Sequence, residues 1–353
     1  MEQLIKIIDM TIYRLSRIAR LLCLALIMAG CSSDEISSPL PDDGEIKPGD
    51  PVMFTTRLPG KGQTRTIEPD GNFTGYSAAE NDYSITIEMY KSGGTKIGND
   101  GNYITTNGDG TLAVAPSGPQ LYWPDNTQAY GFKGTAGTST LEDDQHTKEL
   151  FISQDQLLGY AFVPLKDTEN SETPQYTVND LNYKTSKQWK TANANFGVTD
   201  PEDQKIIPLY LNHLRSRITV ILVAGNGVNA KELAFATAST NIAATIYSYG
   251  ASTLDIKPYA YEETIESVYY THYTAIVEPH NYNAENIVTI NLSGQSVTFS
   301  GSYDISTAGK HLILTLTLTR ADSFKVLGKA QVTDWDNVNP TSVTLDDLGQ
   351  VIN

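Results

Sequence analysis

The sequence predicts an all-β protein made of antiparallel sandwiches, and three observations point there. Apolar residues recur with a period of two, turn-forming clusters interrupt the runs, and β-favouring side chains abound, with 20 tyrosines in 353 residues. Ile85, Ile87 and Met89 alternate with Thr86 and Glu88, and Val288, Ile290 and Leu292 alternate with Thr289 and Asn291. The clearest run is Leu312, Leu314, Leu316 and Leu318, interleaved with Ile313, Thr315, Thr317 and Thr319. Each run reads as a strand with one face on a core, because side chains alternate across a pleated strand. Asn99-Asp100-Gly101, Asn107-Gly108-Asp109-Gly110 and Gly225-Asn226-Gly227 read as the turns between runs. Beyond the N-terminal signal no stretch has a helical period, and no internal repeat is visible.

Four segments follow in order. Residues 1–30 read as an export signal: Arg14, Arg17 and Arg20 precede an apolar run from Leu21 to Met28, then Ala29, Gly30 and Cys31. A run this short cannot span a bilayer, which takes about 20 residues. Small residues before a cysteine resemble the bacterial lipobox, with Met28 where the pattern prefers leucine. The expectation is cleavage between Gly30 and Cys31 by the lipoprotein signal peptidase, and lipid on Cys31. Two or more acyl chains hold a protein on a membrane, at about 0.8 kcal/mol per buried methylene. A start at Met10 would leave only arginines ahead of the apolar core, without Glu2 and Asp9.

Residues 31–50, rich in Ser, Pro, Asp and Gly, read as a flexible tether. Residues 51–205 read as a first β-sandwich, with a long polar insertion at 166–205 broken by Pro174 and Pro201. Residues 206–353 read as a second sandwich. A mature chain of roughly 320 residues is ample for two cores.

Composition excludes several function classes. The two cysteines fall in the signal, Cys23, and at the lipid site, Cys31, so no disulfide, thiol nucleophile or cysteine metal site is expected. Net charge is −16, and −18 without residues 1–30, which carry four basic and two acidic groups. An acidic chain with no basic block is not expected to bind nucleic acid. His146, His213, His272, His280 and His311 form no metal-binding motif, so no metal is expected. No nucleophile elbow, phosphate loop or dinucleotide fingerprint is present, and neither a catalytic residue nor a cofactor is assigned. Among the three tryptophans, Trp189, in the polar insertion, is the candidate contact for a sugar.

Several segments in this order resemble the fimbrillin family, the type V pilins and their relatives. They are the lipobox, Val52-Met53-Phe54 leading to Thr64-Arg65-Thr66, Leu121-Tyr122-Trp123-Pro124, Ala129-Tyr130-Gly131-Phe132, and Gln154-Asp155-Gln156-Leu157-Leu158-Gly159-Tyr160. Residues 207–220, Ala308-Gly309-Lys310 and Val332-Thr333-Asp334-Trp335 complete the set. The insertion at 166–205 departs from the usual spacing.

The resemblance implies two tandem transthyretin-like sandwiches and a structural or adhesive pilus subunit in the outer membrane and fimbrium, not an enzyme. It implies export as a lipoprotein, cleavage by an arginine-specific protease after the first strand, and filling of the vacated groove by a strand of a neighbouring subunit. Arg65, in a Gly- and Pro-containing stretch, is the first candidate cut site. Arg57 is the second, because it falls at the strand itself. Val343 and Leu345 form a candidate donor strand or the last strand of their own domain. Expected partners are other pilin subunits, outer-membrane lipid through the acyl chains, and a host or bacterial surface glycan or protein. The alternative is a surface glycan-binding lipoprotein.

Overall fold

The computed structural model describes residues 45–57, 84–105, 110–161, 165–166, 174–175, 181–195, 198–233, 242–265, 268–320 and 325–335. The first half contains β1 (Met53–Arg57), β2 (Ile85–Lys91), β3 (Thr95–Thr105), β4 (Leu112–Val114), β5 (Tyr130–Gly137) and helix α1 (Lys148–Ser153). It continues with β6 (Gln156–Ala161), β7 (Leu165–Lys166), β8 (Pro174–Gln175), α2 (Ser186–Asn195) and β9 (Ile206–His213). Apart from the small β7–β8 pair, these strands form one sheet in the order β1-β9-β6-β5-β2-β3-β4. The sheet folds over until its edges meet, where Thr55 bridges to Thr111 beside β4. Between the faces lies a core that includes Phe54, Ile85, Ile87, Trp123, Phe132 and Leu209.

The second half contains β10 (Ser216–Ala224), β11 (Ile242–Tyr249), β12 (Thr253–Ile256), β13 (Tyr259–Ile265) and β14 (Val268–Val277). It ends with β15 (His280–Leu292), β16 (Gln295–Ile305), β17 (Lys310–Thr319) and β18 (Lys325–Asp334). Here two sheets, β13-β14-β10-β17-β18 and β12-β11-β15-β16, enclose a second core. The four leucines of β17, Leu312 to Leu318 at alternate positions, are fully buried in it. Two register shifts between β15 and β16 let the consecutive residues Ile287 and Val288 both enter this core, since a bulge resets the alternation.

The period-two pattern therefore yields the expected all-β sandwich class, but four local expectations need correction. Asn99-Asp100-Gly101 lies inside β3, where Gly101 pairs with Ile87. A Cβ on Gly101 would meet the Tyr103 ring at 2.5 Å, so the glycine makes room for an aromatic side chain and does not mark a turn. The turn falls at Gly93 and Gly94, whose φ angles are 93° and 85°. Among the described residues, two α-helices form where no helical period was evident. The polar insertion is not purely surface, because α2 within it buries Trp189 in the first core. Finally, β9 is hydrogen-bonded to β1 and β6 in the first sheet, although its residues were assigned to the segment 206–353.

Candidate functional site: the seat of the first strand

The site implied by the sequence is the place of β1, and three of its neighbouring side chains define it. Val52, Phe54 and Thr56 point the same way and are at most 1% exposed. Phe54 packs edge-on against Tyr103 and Phe132, with ring centroids 5.3 and 5.2 Å away. Thr56 is polar yet buried, which is costly unless its hydroxyl is bonded. It donates from its N–H to the Gly110 carbonyl at 2.8 Å and from Oγ1 to the same oxygen at 3.1 Å.

The backbone of this segment is held on both sides. Along one side β1 runs parallel to β9, from Met53 opposite Ile206 to Arg57 opposite Tyr210. On the other side Val52 N–H donates to Leu121 at 2.9 Å, Trp123 N–H to Asp50 at 3.0 Å, and Gly49 N–H to Trp123 at 2.7 Å. Within the seven-stranded sheet this is the parallel pair; the remaining ladders are antiparallel.

The wall behind the seat explains a sequence motif. After Trp123 and Pro124, the Asp125 carboxylate accepts from the Tyr130 hydroxyl at 2.6 Å and from the N–H groups of Thr127 and Gln128. The Tyr130 hydroxyl, then these backbone donors, hold the Asp125 carboxyl down to about 2. Burial, then the Asp125 charge, pushes the Tyr130 hydroxyl up to about 12. The turn so fixed aims Trp123 and Phe132 at each other, 5.8 Å apart and nearly perpendicular.

Four of the resemblance motifs meet where the two cores adjoin. Arg215, 3% exposed, donates to the carbonyls of Thr138, Ser139 and Gln154 and reaches Glu278 Oε1 at 3.3 Å. His213 Nδ1 lies 2.8 Å from Asp155 Oδ2, and its ring stacks on Trp335. Gly309, at a φ of 78° that side chains rarely adopt, donates to the Arg215 carbonyl at 2.8 Å. Its own carbonyl accepts from Trp335 N–H at 2.7 Å. Gln145 adds a second tie, exchanging two hydrogen bonds with the backbone of Ile276.

Of the residues singled out from sequence, Arg57 ends β1, and Gly30, Cys31, Arg65, Val343 and Leu345 lie outside the described residues. Trp189, expected as a sugar contact, is 0% exposed, and its indole N–H donates to the Tyr130 carbonyl at 3.4 Å. It cannot contact a ligand from there. His272 and His280 are not brought together. His272 is buried and stacks on Tyr261, while His280 bonds Glu285 at 2.7 Å. Among the described residues, no three His, Cys, Asp or Glu side chains are placed to hold a metal. Thr56 and Arg215 were missed as functional positions. A threonine in an alternating strand, or an arginine in the short bend between two strands, gives no sign that it will be buried.

No curated protein matches the sequence. Solved structures with a similar chain trace include a protein of Bacteroides uniformis named as a candidate in cell adhesion, 15% identical, covering 84% of this chain and 100% of its own, at a TM-score of 0.48. A fimbrial protein from Bacteroides ovatus is 11% identical over 80% of this chain and 50% of its own, at 0.35. The fimbrial anchor protein Mfa2 from Porphyromonas gingivalis is 8% identical over 81% and 98%, at 0.34. Family assignment rests instead on the fimbrillin-like family model, which matches residues 64–335, well over half of the sequence. The chain belongs to the fimbrillin-like family.

Proposed function

We propose that this protein is a structural or adhesive subunit of a surface fibre. It is exported as a lipoprotein on Cys31, freed of its first strand by cleavage at Arg65 or Arg57, and linked to its neighbours by strand exchange. Its partners are then other pilin subunits, with outer-membrane lipid holding the acylated precursor.

The observation that carries this reading is the seat of β1. Two buried apolar side chains from one short segment, Val52 and Phe54, at ~1.5–3 kcal/mol each, contribute roughly 3–6 kcal/mol to closing the first core, and the bonded Thr56 hydroxyl fixes the register beside them. An edge strand with that stake can be removed as a unit, and the groove it leaves favours any strand that restores the contacts. Refilling by another chain would be β-augmentation, in which ladder hydrogen bonds give affinity and alternate pockets give specificity. It would also cover an edge that otherwise invites aggregation. The glycan-binding alternative loses its one candidate contact residue, because Trp189 is buried.

Mass spectrometry of protein recovered from intact cells tests the reading. A mature N-terminus at Thr66 or Leu58, abolished in an Arg57→Ala/Arg65→Ala double variant, is expected. Full-length chains still acylated at Cys31 throughout the fibres would contradict it.

A further inference from the structure

We propose that β16 is the edge along which two copies of this chain pair side by side, antiparallel about a two-fold axis at Thr298, so that assembled fibres bundle laterally. The pairing itself is independent of strand exchange at β1. Its bundling role rests on the fibre reading above.

Among the described residues, β16 ends the sheet β12-β11-β15-β16, and no strand pairs with its far side. Such an edge offers backbone donors and acceptors to a second strand, and proteins blunt it with charge, proline, brevity or bulges. β18, at the end of the facing sheet, includes Lys329 and Asp334. β16 has none of these devices. It is 11 residues long and carries neither a charge nor a proline from Gln295 to Tyr303. Both bulges of the β15–β16 ladder put their extra residues in β15, so β16 runs unbroken. On a chain of net charge −16, an uncharged edge is where two copies meet with least repulsion.

The strand is also complementary to itself. Ser296, Thr298 and Ser300 are exposed on its outer side, while Val297 and Phe299 face the second core. A two-fold axis at Thr298 sets that residue against its own copy, Ser296 against Ser300, Val297 against Phe299, and Gln295 against Gly301. Hydroxyl then meets hydroxyl and apolar meets apolar, in the cross-strand pairs that stabilise sheets. Such a contact uses the same patch on both copies and closes on itself. Moved one residue, to Phe299, the axis would face Val297 with a glycine and Gln295 with Tyr303.

The hydroxyls already form a row across three strands. Tyr247 Oη lies 2.9 Å from Thr289 Oγ1, which lies 2.7 Å from Thr298 Oγ1. The axis at Thr298 carries this row into the second copy. Seven paired residues span only about 24 Å. A contact one strand long falls short of the ~800 Å² per partner of a stable complex, so free chains dimerise weakly. Repetition along two fibres makes each further contact intramolecular, and the weak contacts add.

The test introduces single cysteines into the full chain, with native Cys23 and Cys31 replaced by serine. Thr298→Cys should form a disulfide-linked dimer by itself under mild oxidation. Ser296→Cys and Ser300→Cys should each link at least about tenfold more slowly, because each lies about 14 Å from its own copy, beyond disulfide reach. Mixed together, those two should link to each other. Thr253→Cys, exposed on β12, gives the background rate. Thr298→Lys and Thr298→Asp should each sediment as monomers with an unchanged fold, and their equal mixture should regain the dimer. In electron micrographs, wild-type fibres should lie in bundles and Thr298→Lys fibres singly.

The inference is overturned if Thr298→Cys links no faster than Thr253→Cys, or if Ser300→Cys alone links faster than Thr298→Cys. Thr298→Lys fibres that bundle like wild type would overturn it as well. Absence of fibres from both, with the Thr298→Cys dimer formed, sinks the fibre reading and the bundling role while the pairing stands.

Discussion

Trp335 lies flat on His213, with ring centroids 4.0 Å apart and planes only 4° from parallel. The Arg217 guanidinium approaches the same indole, 5.2 Å from its centroid. Trp335 follows β18, the last described strand of the second sandwich, and His213 closes β9 of the first sheet. One aromatic contact therefore ties the end of the second core to the edge of the first. The His213–Asp155 bond carries the tie onward to β6, beginning one residue later.

Replacing Trp335 with alanine should destabilise the protein by about 1–3 kcal/mol, from lost apolar burial and ring contacts. Urea unfolding measures this. A cycle with His213→Ala should return a coupling of about 0.5–1.5 kcal/mol, and additive losses would mean that the stack contributes nothing of its own.

Arg215→Ala should cost more, about 3–5 kcal/mol, because it strips buried carbonyls of their donors and leaves Glu278 without this partner. Lysine should restore little of the loss, since one ammonium cannot reproduce the planar fork that meets several acceptors. Chemical denaturation of the two variants side by side gives the comparison.

Trp189→Ala should lower stability by about 3–5 kcal/mol, as for other fully buried aromatic residues. Retention on polysaccharide resins, measured at a temperature where the variant remains folded, should be unaffected. A selective loss of glycan retention with unchanged stability would reverse that assignment.

The limits of the sequence reading are visible at particular residues. Alternation gave Ile85 to Met89 and Leu312 to Leu318 because one face of each strand meets a core, and burial then follows the pleat. It failed at α2, whose buried residues Ser186, Trp189 and Asn193 have helical spacing but include a single apolar side chain, so no apolar period shows. A local signal was nevertheless present. Thr185 and Gln188 cap each other's backbone, Thr185 N–H to Gln188 Oε1 at 2.9 Å and Gln188 N–H to Thr185 Oγ1 at 3.3 Å, a helix start written as Thr-x-x-Gln. The seat of β1 was half legible. Val52 and Phe54 announced themselves as apolar, but the burial of Thr56 depends on Gly110, more than 50 residues away, and no local pattern encodes that.

Two buried histidines set the expected pH dependence. Burial holds His272 down to about 4. Burial, and secondarily the Arg217 charge, holds His311 down to about 2. The folded state thus binds fewer protons than the unfolded chain below pH 6.5, and stability falls as pH falls. The contribution is intact above pH 6.5. It is lost at up to about 1.4 kcal/mol per pH unit and per histidine, ending near pH 4 for His272 and near pH 2 for His311. Urea midpoints between pH 7.5 and 4 should decline, and less steeply in His272→Gln. Flat midpoints over that range would show that neither ring is kept neutral by the fold.

The exchangeability of β1 is tested most directly by cutting purified protein between β1 and β2 and resolving it, unheated, on a denaturing gel. The account predicts a ladder of regularly spaced multimers that collapses on boiling and is suppressed by excess peptide 51–57. A single monomer band, with the β1 fragment still bound to its own chain, would contradict it.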